Sequence, residues 1–227
     1  MLGALLASLL SACLKKADTS DDSNSNDTDT STWPLTSPDF TGGEAMPYAF
    51  TCNGGDFASG ENPELDWSGG PSAQSYALVL KDISITARMD PATVSHGYHW
   101  AIWNIPAATQ QIPHGLSDDE FPPEVEGARQ WAIRDQFGYF PPCPNSDPTA
   151  DPTTLATDHY AFTLYAIPTA TIADPQPDPN EPNYTRTLDD YLKTIAVGET
   201  ELLFTSDAAS SAPPPALDPS SIEPPSD

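Results

Sequence analysis

Three apolar runs in the middle of the chain restrict its fold more than any other feature. They are SYALVLKD (Ser75 to Asp82), HWAIWNIP (His99 to Pro106) and HYAFTLYAIP (His159 to Pro168). All three are short, rich in β-formers and bounded by Pro, Gly, Asp and Asn, so each reads as a strand. The first is apolar on both alternating faces, as a strand buried on both sides must be. Strict alternation in the second puts His99, Ala101, Trp103 and Ile105 on one face and Trp100 and Ile102 on the other. In the third, Tyr160, Phe162, Leu164 and Ala166 share a face, with Thr163 and Tyr165 opposite. Thr187 to Thr205 predicts a short helix with Thr187 as N-cap, Asp189 and Asp190 in its first turn and Gly198 at its end, followed by an edge strand. The expected domain is mainly β with a late helix.

Not all of the 227 residues can join that core. Thr19 to Ser31 contains only Ser, Thr, Asp and Asn, so ordering it would cost backbone entropy with no apolar burial to offset it. Ser206 to Asp227 is rich in Pro and Ser and is similarly poor in core-forming residues. The sequence therefore divides into residues 1–12 as a signal peptide, 13–36 as a lipid anchor and polar tether, 37–205 as one folded domain, and 206–227 as a tail. A net charge of −25, from 33 acidic against 8 basic residues, argues against nucleic acid as a partner. Phosphate backbones need Lys and Arg to displace their counterions.

The beginning of the chain, MLGALLASLLSACLKK, is apolar but too short to span a bilayer. An apolar stretch ending in small residues is what a signal peptidase reads. Leu10-Ser11-Ala12-Cys13 resembles a bacterial lipobox, in which Cys13 is lipidated and becomes the first mature residue. No Lys or Arg precedes the apolar stretch. Leu14 after Cys13 is not the aspartate that favours inner-membrane retention, so the expected location is the cell envelope, at the outer membrane. Cys52 and Cys143 are the remaining cysteines, and in an oxidising compartment they read as a disulfide, with two free thiols as the alternative. No spacing diagnostic of a metal site is present, and we expect no metal and no cofactor.

Six stretches taken together carry a family resemblance. They are TCNGG (Thr51 to Gly55), NPELDWSGGP (Asn62 to Pro71), SYALVLKD, HWAIWNIPAA, GYFPPCP (Gly138 to Pro144) and HYAFTLYAI. In this order the chain resembles the phosphatidylethanolamine-binding protein family, which includes the Raf kinase inhibitor proteins, and specifically its bacterial lipoprotein members. The resemblance implies a large central antiparallel sheet packed on a smaller one, with peripheral C-terminal helices. It also implies a small anion pocket at one edge of the main sheet, which takes phosphate, acetate or a phospholipid head group. Carried over by motif, the pocket residues are Asp82, His99, Pro142 and Tyr160.

The sequence departs from the family pattern within that pocket. Ser84 stands where the family has a second aspartate, and Pro141 where it has a glycine. The histidine of the family's H-x-Y motif aligns with Asp158, while His159 sits one place later, a step that turns a strand residue to the opposite face. Either Asp158 points into the cleft and makes it acidic, or a bulge brings His159 in instead. The longer loop from Ser84 to Tyr98 adds His96. The expected function is a non-enzymatic, membrane-anchored binding protein for a small polar or anionic ligand. A protein-interaction or inhibitor module is the alternative, and a hydrolase using Asp82, His99 and Ser84 is a third reading without a nucleophile-elbow motif.

Overall fold

The computed structural model describes residues 33–53, 60–88, 94–133, 136–146, 154–173 and 183–210. Cys13, the segment before it, the polar tether up to residue 32 and most of the C-terminal tail lie outside the described residues, whereas Trp33 to Thr36, expected as the end of the tether, are described, with Trp33 and Leu35 buried.

The three apolar runs become neighbouring strands. β3 (Ser75–Asp82) lies between β4 (Tyr98–Pro106) and β7 (Asp158–Ile167), and is buried along its whole length. β6 (Arg129–Ala132) and β8 (Gly198–Ser206) are the edge strands, giving the order β6-β4-β3-β7-β8, with every pairing antiparallel. A smaller sheet is made of β1 (Leu35–Thr36), β2 (Leu65–Trp67) and β5 (Gln111–Ile112), in the order β1-β2-β5. These short strands carry too few residues for periodicity to show in the sequence.

One face of the main sheet packs Leu78, Leu80, Trp100, Ile102, Phe162 and Leu164 against Leu35, Leu65, Trp67 and Ile112 of the small sheet. The other face packs Val79, Trp103 and Tyr165 under α2 (Tyr184–Ile195), whose Tyr184, Leu188 and Leu192 recur at helical spacing. We call these the sandwich face and the helix face.

Strict alternation fails twice in β4. Tyr76 pairs with Ile105 but Leu78 with Ile102, so two β4 residues stand opposite Ala77. Asn104, at φ 58°, takes up the extra residue in the left-handed region that Asn tolerates best after Gly. Ile105 is thereby turned to the sandwich face, away from Trp103. The second irregularity lies at His99: Leu80 pairs with Trp100 and Lys81 with Tyr98, which leaves His99 as the additional residue. Tyr98 and Ala101 consequently share the helix face, while the His99 ring packs on Phe140 and Tyr160 of the sandwich face. The expected grouping of His99 with Ala101 and Trp103 is corrected by this bulge.

The late helix also begins earlier than Thr187. Asn183 is the N-cap: its side chain accepts from the Thr185 N–H at 3.0 Å and its amide donates to the Tyr98 carbonyl at 2.7 Å. Asn183 therefore caps the helix and ties it to β4 at once, a tertiary bond invisible to a local pattern. The helix ends at Ile195, and Gly198 is not its cap but the first residue of the edge strand β8, which does follow as expected. A Cβ on Gly198 would lie 2.7 Å from Pro71, so close approach explains that glycine.

Candidate functional site

At one end of the main sheet, where β3 stops and β4 and β7 begin, the sandwich face leaves a cavity of about 150 Å³. At about 30 Å³ per water, that is room for roughly five waters. Asp82, His96, His99, Asp158 and Tyr160 line it together with Ile85, Ile133, Phe140, Cys143, Pro144 and Ser146.

Each polar lining residue has a structural reason to be there. Asp82 ends β3 on the sandwich face and caps the single-turn helix α1 (Ile83–Thr86), accepting from the Ile85 N–H at 2.9 Å. Gly97 lets the 3-10 turn Val94–Gly97 close against that helix, because a Cβ there would meet Thr86 at 2.7 Å and the Asp82 carbonyl at 3.0 Å. That turn carries the exposed His96 to the rim. His99 is 6% exposed, and its carbonyl accepts from the Ile133 N–H at 2.9 Å, fixing the bulge. Its ring meets Tyr160 edge-on at 5.6 Å between centroids. Asp158 and Tyr160 lie two apart on β7 and so share a face.

The wall from Phe140 to Ser146 is clamped on both sides. Cys143 is bridged to Cys52, and the Cys52 N–H donates to the Pro142 carbonyl at 3.2 Å. Asn145 donates its side-chain amide to the Ala156 and Asp207 carbonyls, each at 2.8 Å. The disulfide therefore forms part of the cavity wall.

Asp82 is 1% exposed, and burial pushes its carboxyl up to about 6, with the nearby Asp158 charge adding to the rise. The Ile85 N–H and the Tyr160 hydroxyl oppose that rise but do not cancel it. The Tyr160 phenol is itself raised well above its usual value, by burial first and then by the two aspartates. Its hydroxyl interacts with Asp82, yet it is fully buried and makes no hydrogen bond of good geometry. Arg88 Nη2 stands 3.8 Å from Asp158 Oδ1. The Arg88 side chain is 65% exposed, so most of its donors face water.

The structure thus brings Asp82, His99, Asp158 and Tyr160 to one cavity and leaves two candidates outside its lining. His159 is exposed on the opposite face of β7, where its N–H donates to Ser84 Oγ at 2.9 Å. No bulge interrupts β7 between Asp158 and Ala166, so the ring has no route into the cavity. Pro142 contributes its carbonyl to the clamp, while Pro144, two places on, lines the cavity; Pro141 leans on Gly60 instead. Ile85, Ile133 and Phe140 were missed because side chains from separate loops meet only in the fold. Arg88 had no motif to mark it.

Among solved structures the fold is similar to YbcL of Escherichia coli, described as a new member of the mammalian PEBP family. The TM-score is 0.56 at 21% identity, covering 77% of this chain and 98% of that one. It is also similar to the phosphatidylethanolamine-binding protein homologue CT736 of Chlamydia trachomatis, with a TM-score of 0.54 at 23% identity, covering 77% and 96%. In sequence, LppC of Mycobacterium tuberculosis, named as a candidate lipoprotein, is 35% identical over 152 residues, 60% of this chain and 57% of that protein. A UPF0098 protein of Aquifex aeolicus is 32% identical over 108 residues, 46% of this chain and 54% of its own length. The chain thus spans little more than half the length of these curated relatives. The model of the phosphatidylethanolamine-binding protein family matches residues 36–206. With its two sheets, its strand-end cavity and that match across most of its length, the chain belongs to the phosphatidylethanolamine-binding protein family.

Proposed function

We propose that the protein is an exported, membrane-anchored binding protein rather than an enzyme, and that its cavity takes a small polar group. One observation carries the ligand side: two carboxylates, Asp82 and Asp158, line the same small cavity as His99 and Tyr160. A phosphate would face both carboxylates at neutral pH, so the cavity favours a neutral or cationic group over the anion that the family resemblance implies. The lipobox-like Leu10 to Cys13, the lipoprotein designation of the relative LppC and the Cys52–Cys143 bridge support export and anchoring. Outer-membrane attachment is proposed from Leu14 alone.

Titration calorimetry with inorganic phosphate at about pH 6 and about pH 8, bracketing the imidazoles, tests the cavity. Weak or undetectable binding at the higher pH is the expected result. Micromolar binding that tightens towards the lower pH and disappears in His99→Ala would overturn it. For the anchor, fatty-acid labelling in a bacterial host should mark the wild type and not Cys13→Ser; unlabelled wild type that still carries residues before Cys13 would refute it.

A further inference from the structure

The two ends of the main sheet differ in charge. Asp82 and Asp158 lie at the end that holds the cavity. At the other end β3 begins at Ser75, opposite Pro106 of β4 and Ile167 of β7. Four stretches meet there, residues 68–74, 106–110, 168–173 and 194–198. None contains Asp, Glu, Lys, Arg or His, although 18% of the chain is charged. Hydrogen bonds join them into one surface. The Gln74 N–H donates to the Ile167 carbonyl at 2.8 Å, and Ser75 Oγ donates to the Thr169 carbonyl at 2.7 Å. The Ile172 N–H donates to Asn104 Oδ1 at 2.9 Å, and the Trp67 N–H to the Gln110 carbonyl at 3.0 Å. Ser72, Ala108, Thr169, Ala170 and Val197 are exposed on it. Charge resumes in the chain at Asp66, Lys193 and Glu199, so the uncharged surface is bounded. The first described residue lies at this end too. The Trp33 ring packs on Gly70, where a Cβ would meet it at 2.6 Å, and on Tyr76 at 5.8 Å between centroids.

Resting on the reading of Cys13 as a lipid anchor, we propose that this uncharged end is the face the domain presents to the bilayer. The cavity is then held at the far end of β3, about 23 Å away, and opens to the aqueous side. The chain from Cys13 to Trp33 can extend to about 70 Å, so its length alone lets either end face the membrane. Charge and attachment decide between them. A protein of net charge −25 is repelled by anionic lipids, at roughly fivefold per charge close to the surface. The uncharged end approaches without bringing carboxylates of its own into the first Debye length of about 8 Å. Because the tether leaves from this end, docking it also demands the least extension of the chain. Contact through small residues such as Ala108, Ala170 and Val197 is weak. It suffices because the anchor makes docking an intramolecular step.

The test is hydrogen exchange on the full acylated protein in vesicles of phosphatidylcholine and phosphatidylglycerol, with Cys13→Ser in dilute buffer as reference. Amides of residues 68–74, 106–110 and 168–173 should exchange more slowly on the vesicles. Those of the Val94–Gly97 turn, whose His96 lines the cavity, should not change. Ala170→Lys should deepen the protection about fivefold and Ala170→Glu reduce it about fivefold, both effects fading at high salt. A damaged fold would move the two variants the same way, and that result overturns the proposal. Slowing at Val94–Gly97 instead, or equally at both ends, overturns it as well. Acylated, vesicle-bound protein with no slowing at either end overturns the docked face and leaves the anchor standing. Wild type that carries no acyl chain and stays off the vesicles overturns the anchor reading and this face with it. The same slowing in Cys13→Ser without vesicles, growing with protein concentration, would assign the face to a second copy and overturn the bilayer.

Discussion

Among the described residues one aspartate is buried against each face of the main sheet, and the two are treated differently. On the helix face Asp189 is 0% exposed and is met by Lys81 at 3.4 Å, by Lys193 one helical turn on, and by the Tyr165 hydroxyl at 2.7 Å. On the sandwich face Asp82 is 1% exposed, accepts from the Ile85 N–H and lies near the Tyr160 phenol, and among the described residues no lysine or arginine is paired with it. Buried charge is costly unless paired and hydrogen-bonded. Asp189 meets both conditions, so it reads as a fastening between α2 and the sheet. Asp82 has the hydrogen bond without a lysine or arginine beside it, borders a cavity and is pushed towards neutrality, which supports the binding role proposed for it.

The largest effect should come from breaking the paired side. Asp189→Ala leaves Lys81, itself 8% exposed, with the distant Glu201 at 4.0 Å as its carboxylate partner among the described residues, and leaves the Tyr165 hydroxyl without its acceptor. A loss of about 3–5 kcal/mol in urea denaturation is expected. A loss below about 1 kcal/mol, the range of exposed pairs, would show that Asp189 is no fastening.

The same experiment on the unpaired side should reverse the sign. Because folding raises the Asp82 carboxyl from 3.8 to about 6, the folded state holds its proton more tightly than the unfolded state does. Its contribution to stability is complete below about pH 4 and is lost as the pH rises through about 6. Asp82→Asn keeps an acceptor for the Ile85 N–H and removes the ionisation. It should therefore stabilise the protein by up to about 3 kcal/mol at pH 8 and by little at pH 4. Equal effects at the two pH values would mean that charge is not what distinguishes this aspartate.

The smallest effect sharpens the distinction between burial and mere proximity. Glu201 is 45% exposed, 4.0 Å from Lys81, and accepts from Thr163 Oγ1 at 2.9 Å. Glu201→Gln should cost under about 1 kcal/mol and become silent at high salt. A cost near that of Asp189→Ala would place Glu201 inside the fastening rather than at its edge.

Legibility in the sequence followed the range of the interactions. β3, β4 and β7 were readable because a strand buried on both faces carries a continuous apolar run, as Tyr76 to Leu80 does in β3. The short strands β1, β2, β5 and β6 were not, because two to four residues acquire their conformation from the partner strand. A helix within Thr187 to Gly198 was readable, but neither its start nor its end was. Asn183 caps it while bonded to the Tyr98 carbonyl, 85 residues away.

The cavity divides in the same way. Local alternation by itself placed Asp158 on the face of Tyr160 but left open a bulge that would bring His159 in, and the unbroken register of β7 with β8 decided for Asp158. The sequence by itself determined that the only two cysteines beyond Cys13 were the pair available for a bridge, which Cys52 and Cys143 form. Only the tertiary structure decided the placement of His99. Alternation assigns that ring to the helix face, and the bulge opposite Lys81 turns it into the cavity beside Phe140 and Tyr160. A bulge is a mismatch in residue count between two paired strands. It exists in neither strand alone, so no pattern within β4 could announce it.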